Sequence, residues 1–181
     1  TLYEADAQIG GQFNIARQIP GKEEFNETLR YFRHQLEAKG VAIRTEHRVS
    51  ADELESVDEV VIATGIAPRQ LSIPGIDHAS VLSYLDVIRD KKPVGQRVAI
   101  IGAGGIGFDT AEFLLHQNAH EDFYQSWGID HSLQARGGLV RPQPLAADRQ
   151  IWLLQRKSGK PGAGLAKTTG WIHRASLQAH G

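Results

Sequence analysis

The chain has 181 residues, with 20 Lys and Arg against 21 Asp and Glu, a formal net charge of −1. That balance removes the electrostatic case for nucleic acid or an anionic membrane as partner. No apolar run approaches the roughly 18 residues of a membrane span, and a sequence without cysteine has no disulfide framework, thiolate metal site or thiol redox couple.

The 41% hydrophobic share is enough to bury the core of one domain or two small ones. With no cysteine and no secretory signal, the expected compartment is the cytoplasm. The chain opens at Thr1, without methionine and inside a strand-like run, so it reads as part of a longer protein.

Residues 1–5 read as a short strand ending in an acid. Residues 6–21 hold Gly10, Gly11, Pro20 and Gly21 and read as a loop. Phe25, Leu29, Phe32 and Leu36 fall at i, i+4, i+7 and i+11, one apolar stripe on a helix over 22–39. Gly40 is its C-terminal stop. Residues 41–45 and 47–49 alternate as short strands. The consecutive Val60, Val61 and Ile62 predict a fully buried strand over 58–63. Pro68, Pro74 and Gly75 mark a surface connection, and 83–89 a turn or two of helix. A buried strand over 97–101 precedes a helix over about 105–116. Residues 117–148 mix polar residues, glycines and prolines without sustained periodicity; so long a connection is a functional or disordered one. A strand over 150–155, a basic loop and a helix over 169–179 complete the chain.

The chemistry concentrates where the apolar run Val98-Ala99-Ile100-Ile101 enters Gly102-Ala103-Gly104-Gly105-Ile106-Gly107. In the G-x-G-x-x-G pattern the first glycine makes the tight turn, the second lets backbone approach a pyrophosphate, and the third lets helix pack on strand. The phosphates then meet unbonded N–H groups at the positive end of the helix dipole. The following strand ends Leu154-Gln155-Arg156-Lys157. A carboxylate there would grip the ribose 2′-OH of NAD, whereas cations suit the 2′-phosphate of NADP. The charge therefore points to NADPH, provided residues 117–148 loop out between the two strands. Glu4, at the end of the first strand, reads as a ligand of a second adenosine ribose or as a surface charge. Ala63-Thr64-Gly65 is a small-residue turn that lets backbone run close to a flat ligand.

These pieces together resemble the two-dinucleotide flavoprotein reductases, in which an inserted NAD(P)H domain interrupts an FAD domain. The runs Ile9-Gly10-Gly11-Gln12-Phe13, Ile19-Pro20-Gly21-Lys22, Trp127-Gly128-Ile129-Asp130 and Lys167-Thr168-Thr169-Gly170-Trp171-Ile172-His173-Arg174 narrow the likeness. They are similar to those of the bacterial NADPH-dependent 2,4-dienoyl-CoA reductase family. The resemblance implies an α/β, Rossmann-like three-layer dinucleotide-binding fold. Residues 1–92 would be part of an FAD domain with the crossover, and 93–181 an NADPH domain with an irregular insertion at 117–148.

Hydride would pass from NADPH to FAD, and electrons through a 4Fe–4S cluster to FMN in a barrel. There an acyl-CoA, a dienoyl thioester of fatty-acid β-oxidation, is reduced. The barrel, the cluster cysteines and the FAD glycine turn are expected outside these residues, so this segment alone would be inactive. By the resemblance, Gly102, Gly104, Gly105 and Gly107 hold the NADPH pyrophosphate, and Arg156 and Lys157 its 2′-phosphate. Glu4, Gly11, Gln12, Ala63, Thr64 and Gly65 lie along FAD. Asp109 corresponds to an acid near the nicotinamide; its plainer reading is an acid in the first helical turn, favouring the dipole. No residue is a candidate catalytic acid, and His116 with His120 at i, i+4 reads as an incidental pair, with no metal expected.

Overall fold

The computed structural model describes residues 1–116, 123–144 and 146–180, and the chain divides into two units, 1–82 and 83–181. In the first, β1 (Leu2–Tyr3) runs parallel to a later strand, Leu2 opposite Ile43 and Tyr3 opposite Arg44. The region read as loop contains one helical turn, α1 (Phe13–Ala16). Then comes α2 (Phe25–Ala38), with Phe13 packed edge-on to Phe25 at 5.0 Å between ring centroids. At the end of α2 the Val41 N–H donates to the Leu36 carbonyl and the Gly40 N–H to that of Glu37. This is the paired closure that a left-handed glycine permits, and it satisfies carbonyls the helix leaves unbonded. The chain then enters β2 (Ile43–Arg44). Residues 47–49 form no strand, although the His47 N–H still reaches the Glu4 carbonyl at 3.0 Å.

The buried strand expected over 58–63 is not there. That stretch is irregular, and Val61 and Ile62 are 88% and 82% exposed. A strand needs hydrogen-bonded neighbours, and among the described residues the backbone of 58–72 makes no backbone hydrogen bond. The apolar run has the composition of a central strand without flanking strands to place it between.

The second unit begins with α3 (Tyr84–Ile88), capped by Ser83. The Asp86 N–H donates to Ser83 Oγ (3.2 Å) and the Ser83 N–H donates to Asp86 Oδ2 (2.8 Å), a reciprocal capping box. Lys92 and then Ser83 hold the Asp86 carboxyl well below the usual carboxylate range. Val87 and Ile88 are buried, and α3 packs on the helix that follows the glycine turn. Next come β3 (Arg97–Ile101), α4 (Gly105–Leu115), α5 (Phe123–Trp127), β4 (Gln150–Leu154) and α6 (Gly170–Ala179). β3 and β4 are parallel and in register from Arg97 opposite Gln150 to Ile101 opposite Leu154. The insertion does loop out between two adjacent strands. Phe108, Ala111, Phe113 and Leu114 of α4 form the core of the unit.

β3 is buried on one face rather than two. Val98 and Ile100 are half-buried in register with Ile151 and Leu153, while Ile101, Trp152 and Leu154 on the other face are exposed. α4 supplies a single covering layer. α4 and α6 meet around the buried Glu112 carboxylate, which accepts from Ser176 Oγ (3.2 Å) and faces His116 Nε2 (3.2 Å) and His173 Nδ1 (3.8 Å). Buried carboxylates persist when they are bonded in this way.

The described part of the insertion is an ordered loop, not an unstructured one. The Val140 N–H donates to the Gly128 carbonyl (2.8 Å), the Asp130 N–H to that of Gly138 (2.9 Å) and the Gln143 N–H to that of Gln125 (2.9 Å). Asp130 organises its tip, accepting from Ser132 Oγ (2.6 Å), the Ser132 N–H (2.9 Å) and the Ala135 N–H (2.6 Å). Led by the Ser132 hydroxyl and the Ala135 N–H, these donors pull the Asp130 carboxyl down to about 2. A pKa lowered on folding contributes stability that is complete above about pH 4 and lost as pH falls toward about 2. Amide exchange at Ser132 and Ala135 should therefore accelerate over that acid window. In Asp130→Asn, which turns one acceptor oxygen into a donor, it should already be fast at neutral pH. Equal protection in the variant would remove Asp130 as the organiser.

Candidate nucleotide site

Five residues of apolar strand, a glycine turn and an amphipathic helix place the site at the C-terminal edge of the β3–β4 sheet. The turn begins at Gly102, whose φ of +122° is one that side-chain-bearing residues rarely adopt. Its N–H donates to the Leu154 carbonyl (2.8 Å), carrying the ladder one residue beyond β3. Gly107 is fixed by packing. A Cβ there would run into the Gly102 carbonyl oxygen and lie 3.7 Å from Ile100. Gly104 and Gly105 are the opposite case, since a Cβ on either meets nothing within 4 Å. Two glycines therefore shape the turn, and two leave space above it.

The open space is polar where it needs to be. Gly104 is the N-cap of α4 and provides no side-chain cap. The first helical bond is from the Phe108 N–H to the Gly104 carbonyl (3.0 Å). The N–H groups of Gly105, Ile106 and Gly107 thus have no protein acceptor among the described residues. Three unpaired donors, a helix of 11 residues behind them and no side chain in front fit a diphosphate.

Because β3 and β4 are adjacent and parallel, Arg156 and Lys157 leave the sheet at this same edge, two and three residues after β4 ends. Both are exposed, and neither has an ion pair or hydrogen bond among the described residues. Asp109 is half-buried in α4 but lies past the first turn, which holds no acid, so the dipole reading of that residue is corrected. In the first unit, Glu4 follows β1 and its carboxylate accepts from the Asp6 N–H (3.0 Å). Gly11 and Gln12 sit exposed just before α1. Ala63, Thr64 and Gly65 lie in the exposed irregular stretch, with no hydrogen bond to Glu4, Gly11 or Gln12 among the described residues. The structure thus assembles the site residues of the second unit and leaves those of the first apart. His120 lies outside the described residues; among the described ones no group of three or more His, Asp or Glu is arranged to hold a metal ion.

Sequence reasoning missed how the basic loop is held. Gln155 Nε2 donates to the Gly159 carbonyl (2.8 Å), and the Gly162 N–H donates to the Ala103 carbonyl (3.1 Å). Arg174 Nη1 of α6 reaches the Gly162 carbonyl at 3.4 Å. The pair of glycines at 159 and 162 was the available signal.

Fold and turn together define an α/β, Rossmann-like dinucleotide-binding protein. The family model for "Pyridine nucleotide-disulphide oxidoreductase" matches residues 9–123, and the chain belongs to that family. Membership makes it part of a pyridine nucleotide-dependent oxidoreductase of the flavin-binding kind. Over 99% of its length the chain is 26% identical to a metal reductase of Desulforamulus reducens, of which it covers 28%. Over 65% of its length it is 34% identical to cinnamate reductase of Clostridium sporogenes, covering 18%. The fold matches the structure of 2-naphthoyl-CoA reductase in complex with 2-naphthoyl-CoA at a TM-score of 0.75. That match has 22% identity and spans 97% of this chain and 22% of that one. The chain therefore spans between about a fifth and just over a quarter of the length of these proteins. No helix among the described residues is long and apolar enough to cross a membrane.

Proposed function

We propose that this chain is the nucleotide-handling part of an NADPH-dependent 2,4-dienoyl-CoA reductase acting in fatty-acid β-oxidation in the cytoplasm. The observation that carries the reading is the pairing, at one sheet edge, of three unbonded N–H groups at Gly105–Gly107 with the unpaired cations Arg156 and Lys157. In this reading the N–H groups and the bare Gly104 take the pyrophosphate, and Arg156 and Lys157 take the 2′-phosphate. Asp109 stands toward the nicotinamide. Glu4, Gly11, Gln12, Ala63, Thr64 and Gly65 line the FAD. Residues 1–92 serve FAD and the crossover, 93–181 serve NADPH.

When bound, NADPH supplies a hydride and FAD accepts it, with a 4Fe–4S cluster and FMN carrying electrons onward to the thioester. The chain's own residues bind and orient; none supplies a proton to the enoyl group. The two runs most particular to the dienoyl-CoA likeness touch one another, Trp127 edge-on to Trp171 at 6.4 Å between ring centroids. That contact supports treating the insertion and the start of α6 as one feature. The match to cinnamate reductase supports a second reading, in which the acceptor is another conjugated acid.

The whole protein should purify yellow, be bleached anaerobically by NADPH, and oxidise NADPH when a 2,4-dienoyl-CoA is added. Turnover with cinnamate but not with the dienoyl thioester would establish the second reading. A colourless protein that binds ADP as tightly as NADPH would reject both in favour of a non-catalytic nucleotide-binding module.

A further inference from the structure

The basic loop after β4 would be a poor phosphate reader if it were merely a string of exposed cations, because ordering long side chains and a mobile backbone costs entropy. The structure shows it tied down at both ends. Gln155, the neutral residue where NAD-binding chains place a carboxylate, spends its side-chain donor on the Gly159 carbonyl (2.8 Å). Residues 155–159 are thereby closed into a tight turn carrying Arg156 and Lys157. Three residues on, the Gly162 N–H is bonded to the Ala103 carbonyl inside the glycine turn itself (3.1 Å). The Gly162 carbonyl is in turn reached by Arg174. Gly162 is buried at φ +72°, and a Cβ there would lie 2.8 Å from both Phe108 Cζ and Leu165 Cδ1. Phe108 is 2% exposed in the core face of α4, so its ring has nowhere to go. Between the two ties stands Lys160, exposed and, like Arg156 and Lys157, without an ion pair or side-chain hydrogen bond among the described residues.

We infer that residues 155–162 form an arch latched onto the phosphate turn. In it Gln155 and Gly162 are positioning residues for NADPH selectivity, and Lys160 is a third cation directed at the adenosine 2′-phosphate. This rests on the reading that Arg156 and Lys157 meet that phosphate. The physical gain is pre-organisation: the cations are held near the dinucleotide turn before the cofactor arrives. Because the latch bears on the 2′-phosphate alone, its loss raises the requirement for NADPH without changing what NADH experiences.

The test is steady-state reduction of the whole enzyme's flavin by NADPH and by NADH, with adenosine 2′,5′-bisphosphate as competitor. It uses wild type, Gln155→Leu, Gly162→Ala and Lys160→Ala. Each variant should raise the KM for NADPH and the inhibition constant of the bisphosphate about fivefold to thirtyfold, the loss of roughly one charge-assisted contact. The KM for NADH should stay within about twofold and kcat for both should hold, the pattern of lost binding rather than lost transition-state contact. Gly162→Ala perturbs Phe108 and can unfold the unit; Gln155→Leu and Lys160→Ala touch only the exposed loop and decide the matter if it does. Equal changes for both cofactors, or none, in those two variants would overturn the latch. Arg156→Glu measured alongside separates the failures. If it is selective and the loop variants are not, the arch is wrong; if it too is unselective, the phosphate reading beneath it is wrong.

Discussion

Replacing Arg156 with glutamate is expected to weaken NADPH by about 10- to 100-fold while leaving NADH within about threefold. The substitution removes a cation that has no ion pair or hydrogen bond among the described residues and sets a carboxylate where a 2′-phosphate must sit. Attraction becomes repulsion at one position of the ligand, and NADH lacks that position. Because Arg156 is exposed, the difference is screened by solvent and counterions. Cofactor titrations by flavin bleaching should therefore show the selectivity shrinking as salt is raised toward about 1 M, where the screening length is only ~3 Å. Equal losses for the two cofactors would remove Arg156 from the site. A selective loss without salt dependence would mean that the arginine acts through the shape of the loop instead.

The second large effect separates two glycines that look alike in the motif. Gly107→Ala should destabilise the unit by about 1–3 kcal/mol, as overpacking does when neighbours cannot yield. The atom it would strike is a backbone carbonyl, that of Gly102, rather than the far end of a flexible side chain. Gly104→Ala should leave the melting temperature unchanged or slightly raised. Gly104 has φ −96° and ψ −169°, open to any residue, and its added methyl group meets nothing. Yet the same methyl group occupies the space through which a diphosphate reaches the N–H groups of Gly105–Gly107, so NADPH affinity should fall at least about tenfold. Thermal melts beside NADPH titrations of the two variants check both halves. A Gly104→Ala protein that binds NADPH normally would show that no diphosphate rests on this turn.

Local pattern was a reliable guide wherever the physical cause was local. The four apolar residues spaced along 25–36 do form α2, and the stop at Gly40 closes it with two hydrogen bonds. The motif from Gly102 to Gly107 was legible because each glycine answers to the residues beside it. Even there, only the structure separated the glycine that relieves a clash, Gly107, from the one that leaves room, Gly104. The run at 60–62 misled for a definite reason. Three consecutive β-branched residues report a preference for a buried pleated environment, not the presence of strands to provide it. The insertion misled in the opposite direction. It lacks periodicity because its order comes from one carboxylate, Asp130, gathering donors from two nearby residues, and hydrogen bonding of that kind leaves no repeat to read.

The residues alone determined where a strand meets a glycine turn and a helix, and that cations rather than a carboxylate follow the next strand. Periodicity and charge are properties of neighbours along the chain, so they survive without a fold. Only the tertiary structure decided that β4 lies against β3 across the long insertion, that Gln155 and Gly162 tie the basic loop to the turn, and that the 58–63 run stands exposed. Those outcomes depend on groups distant in sequence meeting in space, and each contact forms only if its partner is there to accept it.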